Sequence, residues 1–195
     1  MARGRKKKAI QKEETVIQGT QAISYQGSIN LSINNGKKVL VRKKYHNKGM
    51  PNLFRFLANC LAGNNSDNLR PVKIKLFYNK DTAATPNAFD WATASLTAVS
   101  PYILFDSTPV IKENKEAESF EVTFHFRVPF SHISGDTIHL IGLFKSDATD
   151  DKQDVSAYYL LSEDNSWTPI DLSGVSANYS LIIEWTLKIS NKAIN

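Results

Sequence analysis

Alternation is the feature of this 195-residue sequence that most restricts its fold. Residues 179–190 are its clearest example, because every second residue is apolar or aromatic and the positions between are polar apart from Ile182. Successive side chains of a strand point to opposite faces, so this pattern predicts a strand with one buried face. Similar alternation predicts strands at residues 23–33, 39–45, 72–78 and 120–128, and shorter apolar segments predict strands at 102–105, 138–143 and 155–161.

The connections between these segments carry turn signals. Asn34-Asn35-Gly36 predicts a tight hairpin, since Asn and Gly tolerate the positive φ angles that such turns require. Gly27 predicts a bend or bulge in the first strand. Residues 112–119 are interpreted as a charged turn, and residues 131–136 as a hairpin-like connection. We therefore expect the strands at 120–128 and 138–143 to pair antiparallel.

Residues 52–63 carry the helical signal of the sequence. Asn52 is suited to the N-cap, and Gly63 to the left-handed position after the last turn. Apolar residues recur between them at three-and-four spacing, namely Leu53, Phe54, Phe56, Leu57, Cys60 and Leu61. A helix this short is marginal alone in water, so we expect its apolar face, with the single cysteine, to be buried against a sheet.

About eight strands and one helix predict a mainly β protein, an antiparallel two-sheet β-sandwich of jelly-roll or immunoglobulin-like type. Its organisation is predicted as a basic N-terminal arm at residues 1–14 and a single β-sandwich domain at residues 15–195. Residues 80–98 have no clear period and are interpreted as a long surface excursion, in which Phe89 and Trp91 are expected to cap the core.

The net charge of +5 is unevenly distributed. Residues 1–12 contain six bases and no acid, which leaves 18 bases against 19 acids in the rest of the chain. Such a segment has little to bury, so we expect an arm that is disordered in the free protein and orders on a partner. The residues expected to anchor it are Arg3, Arg5, Lys6, Lys7 and Lys8.

A second basic cluster follows at residues 37–48, again without an acid. Its predicted partner- or polyanion-binding residues are Lys37, Lys38, Arg42, Lys43 and Lys44. Charge alone leaves an acidic protein surface and a nucleic acid as alternatives for both clusters. The other interpretation of the first cluster is a tail that only increases solubility.

Signatures of catalysis are absent from the sequence. It contains no G-x-S-x-G elbow, no Walker A loop and no G-x-G-x-x-G. His125 and His139 are expected on neighbouring strands and on the same face, but their spacing with His132 matches no zinc pattern. The acidic residues 147–154 lack the glycine and final glutamate of an EF-hand and are interpreted as a solvated loop. We therefore expect neither an enzyme nor a metal or cofactor site.

One segment resembles a known group of proteins. The segment is KKYHNKGMPNLFRFLANCLAG at residues 43–63, preceded by YQGSINL at residues 25–31. It resembles virion proteins of the crAss-like tailed phages of gut Bacteroidales, and is most similar to their auxiliary, or capsid-associated, proteins. The resemblance covers about residues 20 to 80.

This resemblance implies a non-enzymatic structural component of a virion, present in many copies and assembled in the bacterial host cytoplasm. Its partners would be other virion proteins, either the major capsid protein or neck subunits, with genomic DNA as a further partner of the arm. It leaves a capsid, neck or tail position open. No apolar segment approaches the length of a membrane span, so no membrane partner is expected.

Two other functions remain open from the residues alone. One is a nucleic-acid-binding β-domain that uses the arm and the strand at residues 37–48. The other is a carbohydrate-binding sandwich that exposes Phe89, Trp91 or Trp167.

Overall fold

The computed structural model describes residues 21–34, 39–46, 48–49, 51–64, 67–115, 119–135 and 137–193. Within them lie fifteen β-strands, the helix α1 (Pro51–Leu61) and three short 3₁₀-helices (Asp67–Leu69, Pro86–Ala88 and Phe130–His132). The strands are β1 (Gln21–Asn34), β2 (Val39–His46), β3 (Lys48–Gly49), β4 (Pro71–Asn79), β5 (Leu96–Ala98), β6 (Ile103–Leu104), β7 (Val110–Asn114), β8 (Ser119–Pro129), β9 (Thr137–Ile138), β10 (Leu140–Lys145), β11 (Val155–Leu160), β12 (Ser162–Glu163), β13 (Ser166–Trp167), β14 (Ile170–Asp171) and β15 (Ser180–Ala193). The predicted mainly β protein with one α-helix is confirmed for this part of the chain.

Two principal sheets make up the described part of the chain, and their pairings are antiparallel. The long sheet has the order β2-β1-β15-β8-β7. The short sheet has the order β3-β11-β10-β4-β5, and β6 also pairs with β4. Two small ladders, β12-β13 and β14-β9, lie beside them. Strand order is the detail that alternation cannot supply, because period-two patterning specifies a face and not a neighbour.

The main hydrophobic core lies between the two sheets. The long sheet contributes β1, β8 and β15, and the short sheet contributes β4, β10 and β11. Trp185 of β15 meets Tyr159 of β11 with ring centroids 4.8 Å apart, edge to face. The alternation that defined β15 is confirmed, because Leu181, Ile183, Trp185 and Leu187 are all buried.

The outer face of the short sheet is buried as well. Phe77, Phe144 and Tyr158 project from it into a second apolar cluster, which Phe89 and Trp91 cover. The prediction that these last two residues cap the core is therefore confirmed. Burial of both faces also explains an error in our interpretation of β4. Alternation with Val72, Ile74 and Leu76 predicts Tyr78 on the core face and Phe77 on the outer face, but Phe77 is 1% exposed and Tyr78 is 38% exposed.

The connection after β8 differs from the prediction. We expected residues 120–128 and 138–143 to pair, but β8 lies between β15 and β7 in the long sheet, whereas β10 lies between β11 and β4 in the short sheet. Residues 130–135 therefore run from one sheet towards the other. Both strands have an apolar face directed at the common core, so their patterns are equally compatible with pairing and with facing each other.

Two local predictions are also wrong. Residues 112–114, assigned to a charged turn, belong to β7 and pair with β8. Gly27 forms no bulge in its pairing with β15, because the register continues through it without a shift. The hairpin between the first two strands is supported by the antiparallel pairing of β1 with β2, in which Asn34 is opposite Val39. Its turn residues 35–38 lie outside the described residues.

Helix α1 is anchored through its first half. Leu53 is buried in the main core, and Leu57 packs against it while partly exposed. Cys60 is exposed, so the prediction that the cysteine is buried is wrong. The short sheet covers only the start of the helix. Phe54, also assigned to the apolar stripe, is 51% exposed.

The predicted end of α1 is confirmed, whereas its predicted N-cap is wrong. Gly63 has φ +72°, and Asn64 N–H donates to Asn59 O at 2.9 Å, which is the Schellman ending that the glycine predicts. Asn52 is not the N-cap, since the helix begins at Pro51. Its side-chain amide donates instead to the carbonyl groups of Gln153 and Val155, which ties the helix to the start of β11.

Gly142 in β10 provides a test of the second cluster. A Cβ atom at this position would lie 2.5 Å from Cε2 of Phe144 and 3.0 Å from Cη2 of Trp91. We expect Gly142→Ala to lower the free energy of unfolding by about 1–3 kcal/mol, because both rings are buried and cannot move freely. Urea denaturation measures the change.

The double variant Gly142→Ala/Phe144→Leu supplies the control for this prediction. Leucine removes the ring atoms that the new methyl group would meet, so the double variant should lose less stability than the sum of the two single variants. Strictly additive losses would show that the contact between residues 142 and 144 is not the cause.

Candidate functional site

The predicted basic strand lies at one edge of the long sheet. Arg42, Lys43 and Lys44 belong to β2, which ends the order of that sheet in the described part of the chain. The backbone register pairs them with Ser32, Leu31 and Asn30 of β1, respectively. The other predicted contact residues lie outside the described residues, namely Arg3, Arg5, Lys6, Lys7, Lys8, Lys37 and Lys38. The binding role of all ten stays a prediction.

A cavity of about 240 Å³ opens beside this basic edge, lined by Asn30, Leu31, Ser32 and Glu184. Glu184 accepts a hydrogen bond from Asn30 Nδ2 at 3.3 Å, and its other oxygen lies 3.8 Å from Nδ1 of His125. A carboxylate in such a cavity repels phosphate groups, because like charges at short range cost free energy. Among the described side chains that line the cavity, Glu184 therefore opposes contact with the backbone of a nucleic acid.

A second exposed surface arises because the two sheets differ in length. β1 and β15 have 14 residues each, whereas β10 and β11 have six each. At roughly 3.3 Å per residue, the long strands span about 46 Å and the short ones about 20 Å. The short sheet therefore cannot cover the whole inner face of the long sheet.

The burial of side chains shows which end is left uncovered. Phe126, Phe124 and Phe120 share the inner face of β8, and their exposed fractions are 0%, 7% and 51%. Leu187 on β15 is nearly buried, and Ile189 beyond it is half-buried. The inner face thus continues past the edge of the core.

Four apolar residues define this surface, which we call the overhang: Ile111, Phe120, Val122 and Ile189. The register places Ile111 opposite Val122, and Phe120 opposite Ile189, so the four belong to one face. Ile111 is 70% exposed. A contiguous exposed apolar surface on a protein often marks a contact with another molecule.

Sequence reasoning missed the overhang for two reasons. Ile111 precedes the residues that were interpreted as a turn, so no strand was expected there. The second reason is that alternation shows which side chains share a face but not how far an opposing sheet reaches. One signal was available, because the alternating segment at residues 179–190 is twice as long as the one at 138–143.

The acidic loop at residues 147–154 is structural and not simply solvated. Asp154 is 8% exposed, and its carboxylate accepts hydrogen bonds from the N–H groups of Thr149 and Asp150, both at 2.8 Å. Lys145 lies 2.9 Å from its other oxygen. Burial opposes ionisation of Asp154, but the hydrogen bonds and Lys145 outweigh it and hold the pKa of this carboxyl below its usual value.

Asp151 joins this loop to the short sheet. Its carboxylate accepts hydrogen bonds from Lys75 Nζ at 2.7 Å and from the Tyr102 hydroxyl at 2.7 Å, and its backbone carbonyl accepts one from Trp91 Nε1 at 2.9 Å. Lys75 also lies 4.4 Å from the centroid of the Tyr102 ring. Burial and the bond to Asp151 raise the pKa of Tyr102, so this hydroxyl remains a donor across the physiological range.

The histidines are not brought together. His125 and His139 were expected to be close, but β8 and residue 139 belong to different layers, with His139 N–H donating to Phe77 O beside the short sheet. His132 lies in an exposed 3₁₀-helix. No cluster of three or more His, Cys, Asp or Glu side chains suited to a metal ion occurs among the residues that the structure describes.

Two of the three aromatic residues proposed for carbohydrate binding are buried in the core. Phe89 and Trp91 are buried, and Trp167 is half-buried with its Nε1 donating to Ala84 O at 2.9 Å. A glycan platform needs exposed ring faces. The described residues therefore contradict that interpretation for Phe89 and Trp91.

Comparison with protein-family models, with curated proteins and with solved structures found no match to this chain. In the part of the chain that the structure describes, no helix has the length and apolar character needed to cross a membrane.

Asp151→Asn should weaken the attachment of the acidic loop. The change removes the charge that pairs with Lys75, whose side chain is only 16% exposed. We expect the free energy of unfolding to fall by about 1–2 kcal/mol in urea denaturation. Asp147→Asn is the matched control, because Asp147 pairs with Lys145 at 3.2 Å but is 49% exposed. Equal losses in the two variants would contradict the anchoring role.

His139 should make stability depend on pH. Its side chain is buried between the rings of Tyr78 and Trp167, and this burial lowers the pKa of His139 below the ordinary 6.5. The unfolded chain then takes up a proton before the folded chain does. Stability is fully present above pH 6.5 and is lost as the pH falls towards the folded-state pKa.

Urea midpoints at pH 8.0 and pH 5.5 test this expectation. We expect a lower midpoint at pH 5.5, and a smaller difference in His139→Gln, which has no imidazole to protonate. His132→Gln, at an exposed position, should keep the pH dependence of the natural chain. A natural chain with no pH dependence would contradict the prediction.

Proposed function

We propose that this protein is a non-enzymatic structural subunit of a tailed-phage virion that docks on neighbouring virion subunits through its β-domain and its basic arm. The observation that carries the proposal is the overhang, where apolar side chains of the long sheet continue the core into solvent. A surface of this kind supports a protein contact. The resemblance of residues 43–63 to auxiliary capsid proteins of crAss-like phages supplies the kind of assembly.

The charge distribution supports the same proposal. Residues 1–12 contain six bases without an acid, and residues 49–195 contain 12 bases against 17 acids. One end of the chain is thus strongly basic and the larger part is acidic. Copies that meet a neighbour's acidic body with a basic arm gain a favourable long-range attraction, which salt weakens.

A capsid-associated position is the one we propose, and a neck or tail position is the alternative within the same class. Imaging of purified particles at subnanometre resolution distinguishes them, since a capsid protein repeats over the shell whereas a neck or tail protein follows the portal axis. Density at the shell would support the proposal, and density confined to the axis would move the subunit to the neck or tail.

Nucleic-acid binding is the alternative of a different class. The edge position of β2, with Arg42, Lys43 and Lys44 in one strand, favours it. Glu184 in the adjacent cavity counts against it. Filter binding to duplex DNA over a salt series distinguishes nucleic-acid binding from protein docking. Nucleic-acid binding requires an affinity that falls steeply with salt. A protein-docking arm requires no affinity for free DNA.

Deletion of residues 1–14 should reduce incorporation into particles. A second variant keeps the chain length and replaces Arg5, Lys6, Lys7 and Lys8 with glutamine. Exposed ion pairs contribute about 0.2–1 kcal/mol each, so loss of four should weaken docking by about fourfold or more. Quantitative mass spectrometry of purified particles measures the copy number of each variant relative to the other virion proteins.

The matched control replaces four exposed bases of the body with glutamine, namely Arg55, Arg70, Lys80 and Arg127. This variant has the same change in net charge and should join particles at the natural copy number. Full occupancy by the truncated chain would sink the proposed role of the arm.

A further inference from the structure

β7 forms one edge of the long sheet. In the described part of the chain it pairs with β8 on one side, and no described strand pairs with it on the other. All five of its residues are exposed, and Ile111 is the most exposed large apolar residue of the described chain, at 70%. Main-chain N–H and C=O groups along such an edge can pair with a strand of another molecule.

The same strand of a second copy is a suitable partner for this edge. Identical chains most often associate around a two-fold axis, which brings the same surface of both copies together. An axis perpendicular to the long sheet would place two β7 strands side by side and antiparallel. It would also keep the inner faces of both copies on the same side, with one residue of β7 lying on the axis opposite its own counterpart.

The charges of β7 select the residue on that axis. An axis at Lys112 would put two lysines opposite each other, and an axis at Glu113 would put two glutamates opposite each other. Like charges in directly opposite positions destabilise a pair of strands. An axis at Val110 or Asn114, the two ends of β7, would leave most of the strand unpaired. Ile111 is the position that remains.

An axis at Ile111 brings apolar side chains together on the inner face. Within one copy, Val122 is opposite Ile111, and Leu187 is opposite Val122. The second copy supplies the same three residues in the reverse order. Pairing therefore joins two short apolar rows into one continuous row, which reaches the core of each copy at Leu187, a buried residue.

The charged residues of β7 have compatible neighbours in this register. Lys112 comes opposite Val110 of the second copy, and Glu121 of its own chain is opposite Lys112 on the other side. Glu113 comes opposite Pro109 of the second copy and is exposed, so its carboxylate keeps its contact with water. Charges on an edge strand usually hinder pairing with other molecules, and here they restrict pairing to one register.

We propose that two copies of this chain associate by antiparallel pairing of β7 with β7, with Ile111 on a two-fold axis. The contact joins two five-stranded sheets into one and places the two overhangs side by side. One short strand from each copy buries less than the roughly 800 Å² per partner of a standard interface, so we expect weak association in solution. The inference rests on the proposed multi-copy assembly, in which copies are concentrated enough to occupy such a contact.

Disulfide trapping of full-length chains tests the proposal. Every variant carries Cys60→Ser, because Cys60 is exposed and would react. Opposite residues of an antiparallel pair have Cα atoms about 4.5–5.5 Å apart, which is within the range of a disulfide. Ile111→Cys on the axis should therefore form a disulfide-linked dimer in a glutathione redox buffer.

Val110→Cys is the matched control, because Val110 is adjacent in β7 and is also exposed, at 43%. The two copies of residue 110 are offset by two residues along the strands, so their Cα atoms are more than about 8 Å apart. We expect at least fivefold more dimer from Ile111→Cys than from Val110→Cys. Equal yields, or no dimer from Ile111→Cys, would overturn the proposal.

A mixture of two differently tagged chains tests the register while keeping Ile111. One chain carries Val110→Cys and the other carries Lys112→Cys, and these positions are opposite in the proposed pairing. We expect at least fivefold more heterodimer than either homodimer. An excess of the Lys112→Cys homodimer would place the axis at residue 112 and overturn the proposed pairing.

Sedimentation velocity under reducing conditions tests the edge without new cysteines. Ile111→Lys should weaken self-association at least tenfold, because it places two like charges on the axis. Leu104→Lys is the matched control, since Leu104 is an apolar residue of the short sheet with 61% exposure, and it should change self-association less than twofold. Equal effects of the two substitutions would contradict the inference.

The behaviour of the natural chain is a further test. A natural chain that remains monomeric at about 1 mM, the weak end of specific association, would overturn the inference. This includes the case in which deletion of residues 1–20 is needed for dimers to form, because the edge would then be covered by the chain's own N-terminal segment.

These measurements use the purified chain, so they separate this inference from the proposed function. A monomeric natural chain that joins particles at its natural copy number would overturn the contact between copies alone. A dimeric natural chain that is absent from particles would overturn the proposed function alone.

Discussion

The pairing of β1 with β15 is the interaction on which the rest of the structure depends. Fourteen residues of each strand are in register, from Gln21 opposite Ala193 to Asn34 opposite Ser180. In the order of the long sheet, β1 joins β2 to β15, and β15 joins β1 to β8 and β7. The loop that this pairing closes is long, but each doubling of loop length costs only about 0.6 kcal/mol. Burial of one continuous apolar face offsets that cost, with Trp185 packed on Tyr159 at its centre.

The two sheets differ in how far their faces are buried. The short sheet is buried on both faces, since the segment with Phe89 and Trp91 covers its outer side. That cover is held by polar contacts at its edge, where Asp151 accepts from Lys75, Tyr102 and Trp91. The long sheet is buried on its inner face only where the short sheet reaches. Its remaining inner face, the overhang, is the part of the described molecule that is best suited to a partner, because contact there would extend a core that already exists.

The predicted and the observed surfaces therefore differ in kind. The sequence indicated a charged contact made by the arm and the second basic cluster, and of those residues the structure describes only the strand that contains Arg42, Lys43 and Lys44. The structure adds an exposed apolar surface at the opposite side of the long sheet, on β7 and β8.

Local features of the fold were predictable from the sequence. The alternation of β15, the strand before and after the first hairpin and the helix ending at Gly63 all follow from steric and burial preferences within about a dozen residues. Tertiary structure alone decided which strand pairs with β8, why Phe77 is buried and Tyr78 is exposed, and why Cys60 is exposed at the end of an apolar stripe. It also decided that the apolar face of Phe120 and Ile111 lies outside the core. Periodicity specifies which side chains share a face, whereas burial depends on where a distant sheet ends, and the pattern within one strand does not record the length of the sheet that packs on it.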